Sequence, residues 1–245
     1  MRFGRRGPVV RRLAAVATVI LLRHGRSTSN VAGVLAGRSA GVGLDEYGQA
    51  QARAVAQALA KLPLAAVVSS PLQRCLETLA PLTETPTVDE RLAEIDYGRW
   101  TGQELRKLTK EPMWKVVQQH PSAAVFPEGE GLAEVAARAV AAIREWDGKV
   151  AGTHGPGALW LACSHGDVIK ALLADALGLH LDGFQRIVVD PCSISVVSYT
   201  DVRPFVIKIN DSGADLGSLQ PPKRRRRKPS SAAAVGGTTG TDSTR

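Results

Sequence analysis

The chain has 245 residues, of which 44% are hydrophobic and few are aromatic, enough for one domain with a substantial core. Its formal charge of +8 sits at the ends: removing +5 for residues 1–12 and +6 for residues 218–245 leaves −3 for residues 13–217. A slightly acidic body argues against a nucleic-acid groove, three dispersed cysteines against a disulfide framework or structural zinc, and the lack of roughly 18 consecutive apolar residues against a membrane span.

Residues 1–17 read as a disordered basic extension, or an artefact of the start codon. Arg11-Arg12 before an apolar run, with Ala15-Val16-Ala17, also fits a secretory leader. The run does not stop there, however, and continues into Thr18–Leu22. That segment reads as a buried parallel strand feeding Arg23-His24-Gly25. Leu44–Leu62 carries Ala, Val and Leu at helical spacing and reads as an amphipathic helix. Leu64–Val68 is the next strand. Ser69-Ser70-Pro71 then opens a helix to about Leu79, with Ser as its cap. Residues 85–130, rich in Pro, Gly and charge, read as a small irregular insertion over the site. Leu132–Asp147 is a second amphipathic helix, expected to end at Gly148. Ala158–Cys163 is a strand, Gly166–Leu177 a helix stopped by Gly178, and Ile194–Tyr199 and Phe205–Ile209 are closing strands. From residue 218 a cationic run, Lys223–Lys228, and aperiodic Ser, Ala, Gly and Thr read as a disordered basic tail. Strands alternating with helices imply an α/β fold over 18–217: a three-layer α/β/α sandwich with a mostly parallel central sheet.

Ligands bind beyond the carboxyl ends of strands in such sheets. Three strands end here in chemically loaded loops: Arg23-His24-Gly25, Ser69-Ser70-Pro71 leading to Arg74, and Ser164-His165-Gly166. A phosphoryl group carries about two negative charges and needs fixed cations and backbone donors. Arg23 and Arg74 each offer a planar fork. Gly25 allows close backbone approach, and Gly166 opens a helix whose N–H groups suit an anion. Neutral imidazole is a good nucleophile and leaving group for phosphorus, so His24 or His165 could carry a two-step transfer. Glu94 is the best-placed acid to protonate a leaving alkoxide, with Glu90 and Asp96 as nearby alternatives.

Leu22-Arg23-His24-Gly25, Ser69 to Arg74, Glu94 to Gly102 and Ser164-His165-Gly166 together resemble the histidine phosphatase superfamily, in its phosphoglycerate-mutase-like branch. The resemblance spans roughly residues 18–210, with the four motifs in family order; it extends to an actinobacterial group of phosphomutases and acid phosphatases. It implies that His24 becomes a phosphohistidine, that Arg23, Arg74 and His165 bind the phosphoryl group, and that Glu94 donates the proton. It also implies that Asn30, with Ser27, lines the phosphate pocket, and that no metal or other cofactor is needed.

Several positions depart from the mutases. Arg26 stands where many relatives carry Glu or Gln, Ile95 and Asp96 replace an Arg-His pair, and Glu111–Phe126 lacks Arg. These differences favour a phosphatase acting on a small phosphorylated metabolite, and the three dispersed cysteines fit a reducing compartment, the cytoplasm. The alternatives are a phosphomutase and a non-catalytic phospho-ligand module. Glu130 and Arg138 read as helix-cap residues beside Pro127–Gly131. A homodimer is expected on base rate.

Overall fold

The computed structural model describes residues 17–213. Apart from Ala17, the expected basic extension lies outside the described residues, as does the expected tail. Ala17 is buried, and its N–H donates to Asp147 Oδ2 at 3.3 Å, so it packs with the strand it precedes.

In chain order the elements are β1 (Thr18–Arg23), α1 (Thr28–Ala32), α2 (Glu46–Leu59), β2 (Leu64–Ser69), α3 (Gln73–Leu79), β3 (Thr87–Val88), α4 (Leu105–Leu108), α5 (Pro112–Gln119), α6 (Leu132–His154), β4 (Leu159–Ser164), α7 (Gly166–Ala176), β5 (Ile194–Ser198) and β6 (Phe205–Asp211). The sheet order is β3-β2-β4-β1-β5-β6. β1, β2, β3 and β4 pair in parallel, and only β5 runs against its neighbours.

The layers follow from the period of two along the strands. Val19 and Leu21 of β1, with Trp160 and Ala162 of β4, face a large core shared with α6 and α7. Ile20 and Leu22, with Leu161 and Cys163, face a smaller core closed by Leu59 of α2 and by Cys75 and Leu79 of α3. Both faces of the central strands are therefore covered, which is why they read as unbroken apolar runs.

Three expectations need correcting. α6 does not end at Gly148 but runs to His154, because Val150 and Ala151 extend its buried stripe and outweigh one glycine's propensity cost. Ser70 is not the cap of α3: Leu72 holds that position without a side-chain bond, and Ser70 is occupied elsewhere. The 85–130 insertion is folded rather than irregular. Tyr97, Trp100, Trp114 and Phe126 pack ring against ring, with centroids 4.9 to 6.2 Å apart, as part of the large core; Leu108 of α4 and Val117 of α5 join that core, and β3 pairs with β2.

Candidate active site

Because β1, β2 and β4 are parallel, their carboxyl ends share one edge of the sheet. The register places Arg23 beside Ser164 and Ser69 beside Cys163. Backbone pairing continues one residue further, His24 N–H to the Ser164 carbonyl at 3.0 Å and Ser70 N–H to Cys163 at 2.9 Å. Strand pairing alone thus sets His24, Ser70 and His165 side by side. Arg74 reaches them from the first turn of α3. The Glu94 segment is tied to β4 where Ser164 Oγ donates to the Leu92 carbonyl at 2.8 Å.

His24, His165, Arg23, Arg74 and Glu94 are all buried, and they meet. His24 Nδ1 lies 2.8 Å from the Gly25 carbonyl, an obligate acceptor. The ring proton therefore sits on Nδ1, and Nε2 presents its lone pair as an acceptor to Arg74. Arg74 Nε approaches that Nε2 at 3.3 Å, and Arg74 Nη2 is held by the Gly37 carbonyl at 2.9 Å. The rings of His24 and His165 stand 5.2 Å apart. Ser70 Oγ accepts from Leu72 N–H at 3.3 Å and lies 2.7 Å from His165 Nε2. Cys75 Sγ lies 3.6 Å from the same Nε2, and the His165 tautomer sets the direction of both contacts. His165 Nδ1 and Arg74 Nη1 are buried nitrogens with no hydrogen-bond partner in the protein; Glu94 Oε2 is 3.9 Å from Nδ1. Unsatisfied buried polar groups are costly, and these two stand beside His24.

Burial drives the protonation states. It lowers the pKa of His24 well below the ordinary value, helped by the charges of Arg74 and Arg23, so this imidazole is neutral. Burial, with Arg74, His24 and Arg23, does the same to His165. Burial, then the charge of Asp167, raises Glu94 to about 7 against the opposing arginines, so it can hold a proton near neutrality. Of the two alternative acids, Glu90 is exposed, and Asp96 Oδ1 is spent on the Gly98 N–H at 2.9 Å.

The remaining expected residues are less direct. A Cβ on Gly25 would lie 2.8 Å from the Gly48 carbonyl, and the Gly25 N–H already donates to Thr78 Oγ1 at 2.9 Å. This glycine serves loop packing, and its carbonyl sets the His24 tautomer. Ser27 and Asn30 form a capping box on α1: Ser27 Oγ and N–H both donate to Asn30 Oδ1, and Asn30 N–H returns to Ser27 Oγ. The Ser27 hydroxyl proton is thereby used, while the Asn30 side-chain amide keeps its donors. Gly166 opens α7, whose positive end borders His165. Arg26 pairs with Asp45 at 2.7 Å and stacks on Tyr47.

Two contributions were not legible in the sequence. The Val189 carbonyl accepts from Arg23 Nη1 at 2.6 Å, and Cys192 N–H binds the carbonyls of Arg23 and His24. Neither uses a distinctive side chain, so no motif announces them. Glu130 and Arg138 do not cap α6; Glu134 takes the Gly131 N–H at 3.0 Å, and the other two hold the Glu94 segment. Among the described residues, no helix is long and apolar enough to cross a membrane, and no three His, Cys, Asp or Glu are grouped to hold a metal.

A neutral imidazole held as a nucleophile among fixed cations, with an acid poised near pH 7, is equipment for moving a phosphoryl group through histidine. The comparisons agree: the chain belongs to the histidine phosphatase superfamily (branch 1), whose model matches residues 19–212. It is similar to phosphoserine phosphatase 1 of Hydrogenobacter thermophilus, 30% identical over 78% of this chain and 91% of that one. It is equally similar to a Yersinia pestis protein named "probable phosphoglycerate mutase GpmB", 30% identical over 83% of this chain and 95% of the relative. Among solved structures, "Mycobacterial hydrolase 1" superposes with a TM-score of 0.71 at 26% identity, covering 81% of this chain and all of that one. The chain is accordingly an enzyme of phosphomonoester chemistry.

Proposed function

We propose that this enzyme hydrolyses a small phosphorylated metabolite in two displacements through His24. In the first, His24 Nε2 forms the N–P bond while the ester P–O bond breaks, and the leaving oxygen takes the Glu94 proton. In the second, water attacks the phosphohistidine, gives a proton to the Glu94 carboxylate, and releases phosphate and neutral His24. Arg23, Arg74 and the His165 Nδ1–H hold the phosphoryl oxygens throughout, with the Asn30 amide and the start of α7 at Gly166 as further donors. The observation that carries this reading is the pair of unpartnered buried nitrogens, Arg74 Nη1 and His165 Nδ1, beside a tautomerically fixed His24.

Phosphomutase activity is the second reading, favoured by the mutase-named relative. Against it, Ile95 is buried in the core and Asp96 is bound into a turn, so neither offers a cation to a second anionic group. Intact-protein mass spectrometry with excess phosphodonor tests both readings. We expect an acid-labile phosphoryl adduct on wild type, absent from His24→Ala, that decays rapidly in water. An adduct stable in water but discharged by an acceptor alcohol supports the mutase. No adduct and no phosphate release from any donor would leave a binding module.

Three buried free thiols accord with a reducing, cytoplasmic setting, which cell fractionation tests. A homodimer through the outer edge strand β6, where Phe205, Ile207 and Ile209 are exposed, is the accompanying assembly proposal, and sedimentation velocity tests it.

A further inference from the structure

The segment that carries Glu94 is gripped by charges that the phosphoryl chemistry does not use. The Glu94 main-chain carbonyl accepts from two arginines, Arg38 Nε at 2.8 Å and Arg138 Nη2 at 3.3 Å. One carboxylate bridges both. Glu130 Oε2 accepts from Arg38 Nη2 at 2.8 Å and Arg138 Nη2 at 3.0 Å, and Oε1 accepts from Arg138 Nε at 3.0 Å. The same Oε2 takes the Asp96 N–H at 2.9 Å, and Arg138 Nη1 reaches the Arg91 carbonyl at 2.6 Å. Main-chain groups of residues 91, 94 and 96 are thus fastened to α6 through one Arg–Glu pair.

The grip also reaches the phosphate side. Arg38 follows Gly37, whose carbonyl fixes Arg74 Nη2. Adjacent residues therefore hold the phosphate-binding guanidinium and the main chain of the acid. Burial pushes the Glu130 pKa up, but the Arg138 bond, the Asp96 N–H and the charges of Arg138 and Arg38 outweigh it and leave it lowered. Charge-assisted forked bonds fix orientation as well as distance. The grip is seated on tight backbone packing: a Cβ on Gly129 would lie 2.3 Å from the Asp96 carbonyl.

We propose that Glu130, acting through Arg38 and Arg138, positions the Glu94 carboxyl for proton transfer, and so sets how well the enzyme cleaves esters whose leaving oxygen needs a proton. This rests on the reading of Glu94 as the acid. None of the three contacts the reacting atoms, so they are positioning residues, and their loss should act selectively.

The test compares kcat/KM for 4-nitrophenyl phosphate, whose leaving group needs little protonation, with that for the alkyl phosphate the wild type turns over best in a panel. Glu94→Gln sets the reference: the alkyl ester loses about a hundredfold or more, the aryl ester far less. Glu130→Ala and Arg38→Ala are expected to show the same selective loss, about ten- to a hundredfold on the alkyl ester, with Glu130→Gln recovering part of it. Arg38 is exposed, so its removal decides the matter if Glu130→Ala does not fold. Equal losses on both esters, or none, in Glu130→Ala and Arg38→Ala beside a selective Glu94→Gln would overturn the proposal. A non-selective Glu94→Gln would instead refute Glu94 as the acid, and the proposal would fall with it.

Discussion

Single hydrogens decide the chemistry. The Gly25 carbonyl keeps the His24 proton on Nδ1, and the Ser70 hydroxyl, 2.7 Å from His165 Nε2, is placed to donate there and hold the His165 proton on Nδ1. Ser70→Ala removes that hydroxyl and leaves the Cys75 thiol, 3.6 Å away, as the partner of Nε2. We expect a loss of about tenfold in kcat/KM, the worth of one hydrogen bond, with a changed His165 tautomer by 15N NMR and partial recovery in Ser70→Thr; an unchanged tautomer would remove Ser70 from this role. Glu94 gives a pH dependence with a definite sign. Its pKa of about 7 in the folded protein lies above the ordinary 4.5, so the native state holds the proton more tightly than the unfolded chain. The associated stability is fully present below pH 4.5 and is lost as pH rises through 7, on the order of 3 kcal/mol by pH 8. Glu94→Gln, which mimics the protonated acid, should exceed wild type in urea melts at pH 8 and match it near pH 5. Equal stability at pH 8 would mean that the neighbouring arginines keep the carboxyl ionised. For alkyl esters, kcat/KM should fall above about pH 7 for the same reason, a limb to which His24, with its pKa lowered well below the ordinary value, does not contribute.

Among the elements, glycines at turns and glycines within helices have opposite roles. Gly98 has φ +51°, and a Cβ there would stand 2.1 Å from the Pro127 carbonyl. Gly98→Ala should cost about 1–3 kcal/mol for the backbone conformation alone, and more for the clash. It should also weaken turnover, because the displaced turn carries Glu94. Gly148 sits inside α6 with open space where a Cβ would go. Gly148→Ala should stabilise by about 0.5–1 kcal/mol without touching kcat. Chemical denaturation of the two variants checks both signs; a neutral Gly98→Ala would show that the turn pair is not rigid.

For the whole molecule, every side chain assigned to the site lies between Arg23 and His165, and the described sheet is complete at Asp211. Catalysis should therefore not depend on the basic tail. Truncation after Leu219 is expected to leave kcat/KM unchanged for a small phosphodonor, and a loss of more than about threefold, beyond the roughly 0.5 kcal/mol scatter of neutral changes, would show that the tail enters the reaction.

How much was readable in advance follows from the range of the interactions. Apolar runs at Thr18–Leu22, Leu64–Val68 and Ala158–Cys163 are local signals, and their periods and bounding loops were enough to predict an α/β sandwich with three loaded strand ends. His24, Arg23, Arg74 and His165 stand at those ends, so they too were legible. The reach of α6 past Gly148 and the folding of the insertion were not, because both depend on burial against distant residues. The release of Ser70 from capping and the change of Glu130 and Arg138 from cap to clamp are contacts across 34 to 95 residues. By itself the sequence determined the layers of the fold and the chemical groups at its edge, since both are written in short-range pattern and residue type. Only the tertiary structure decided which nitrogen of His24 carries the proton, which buried nitrogens are left without a protein partner, and what holds the Glu94 segment in place, because those follow from packing that no local pattern records.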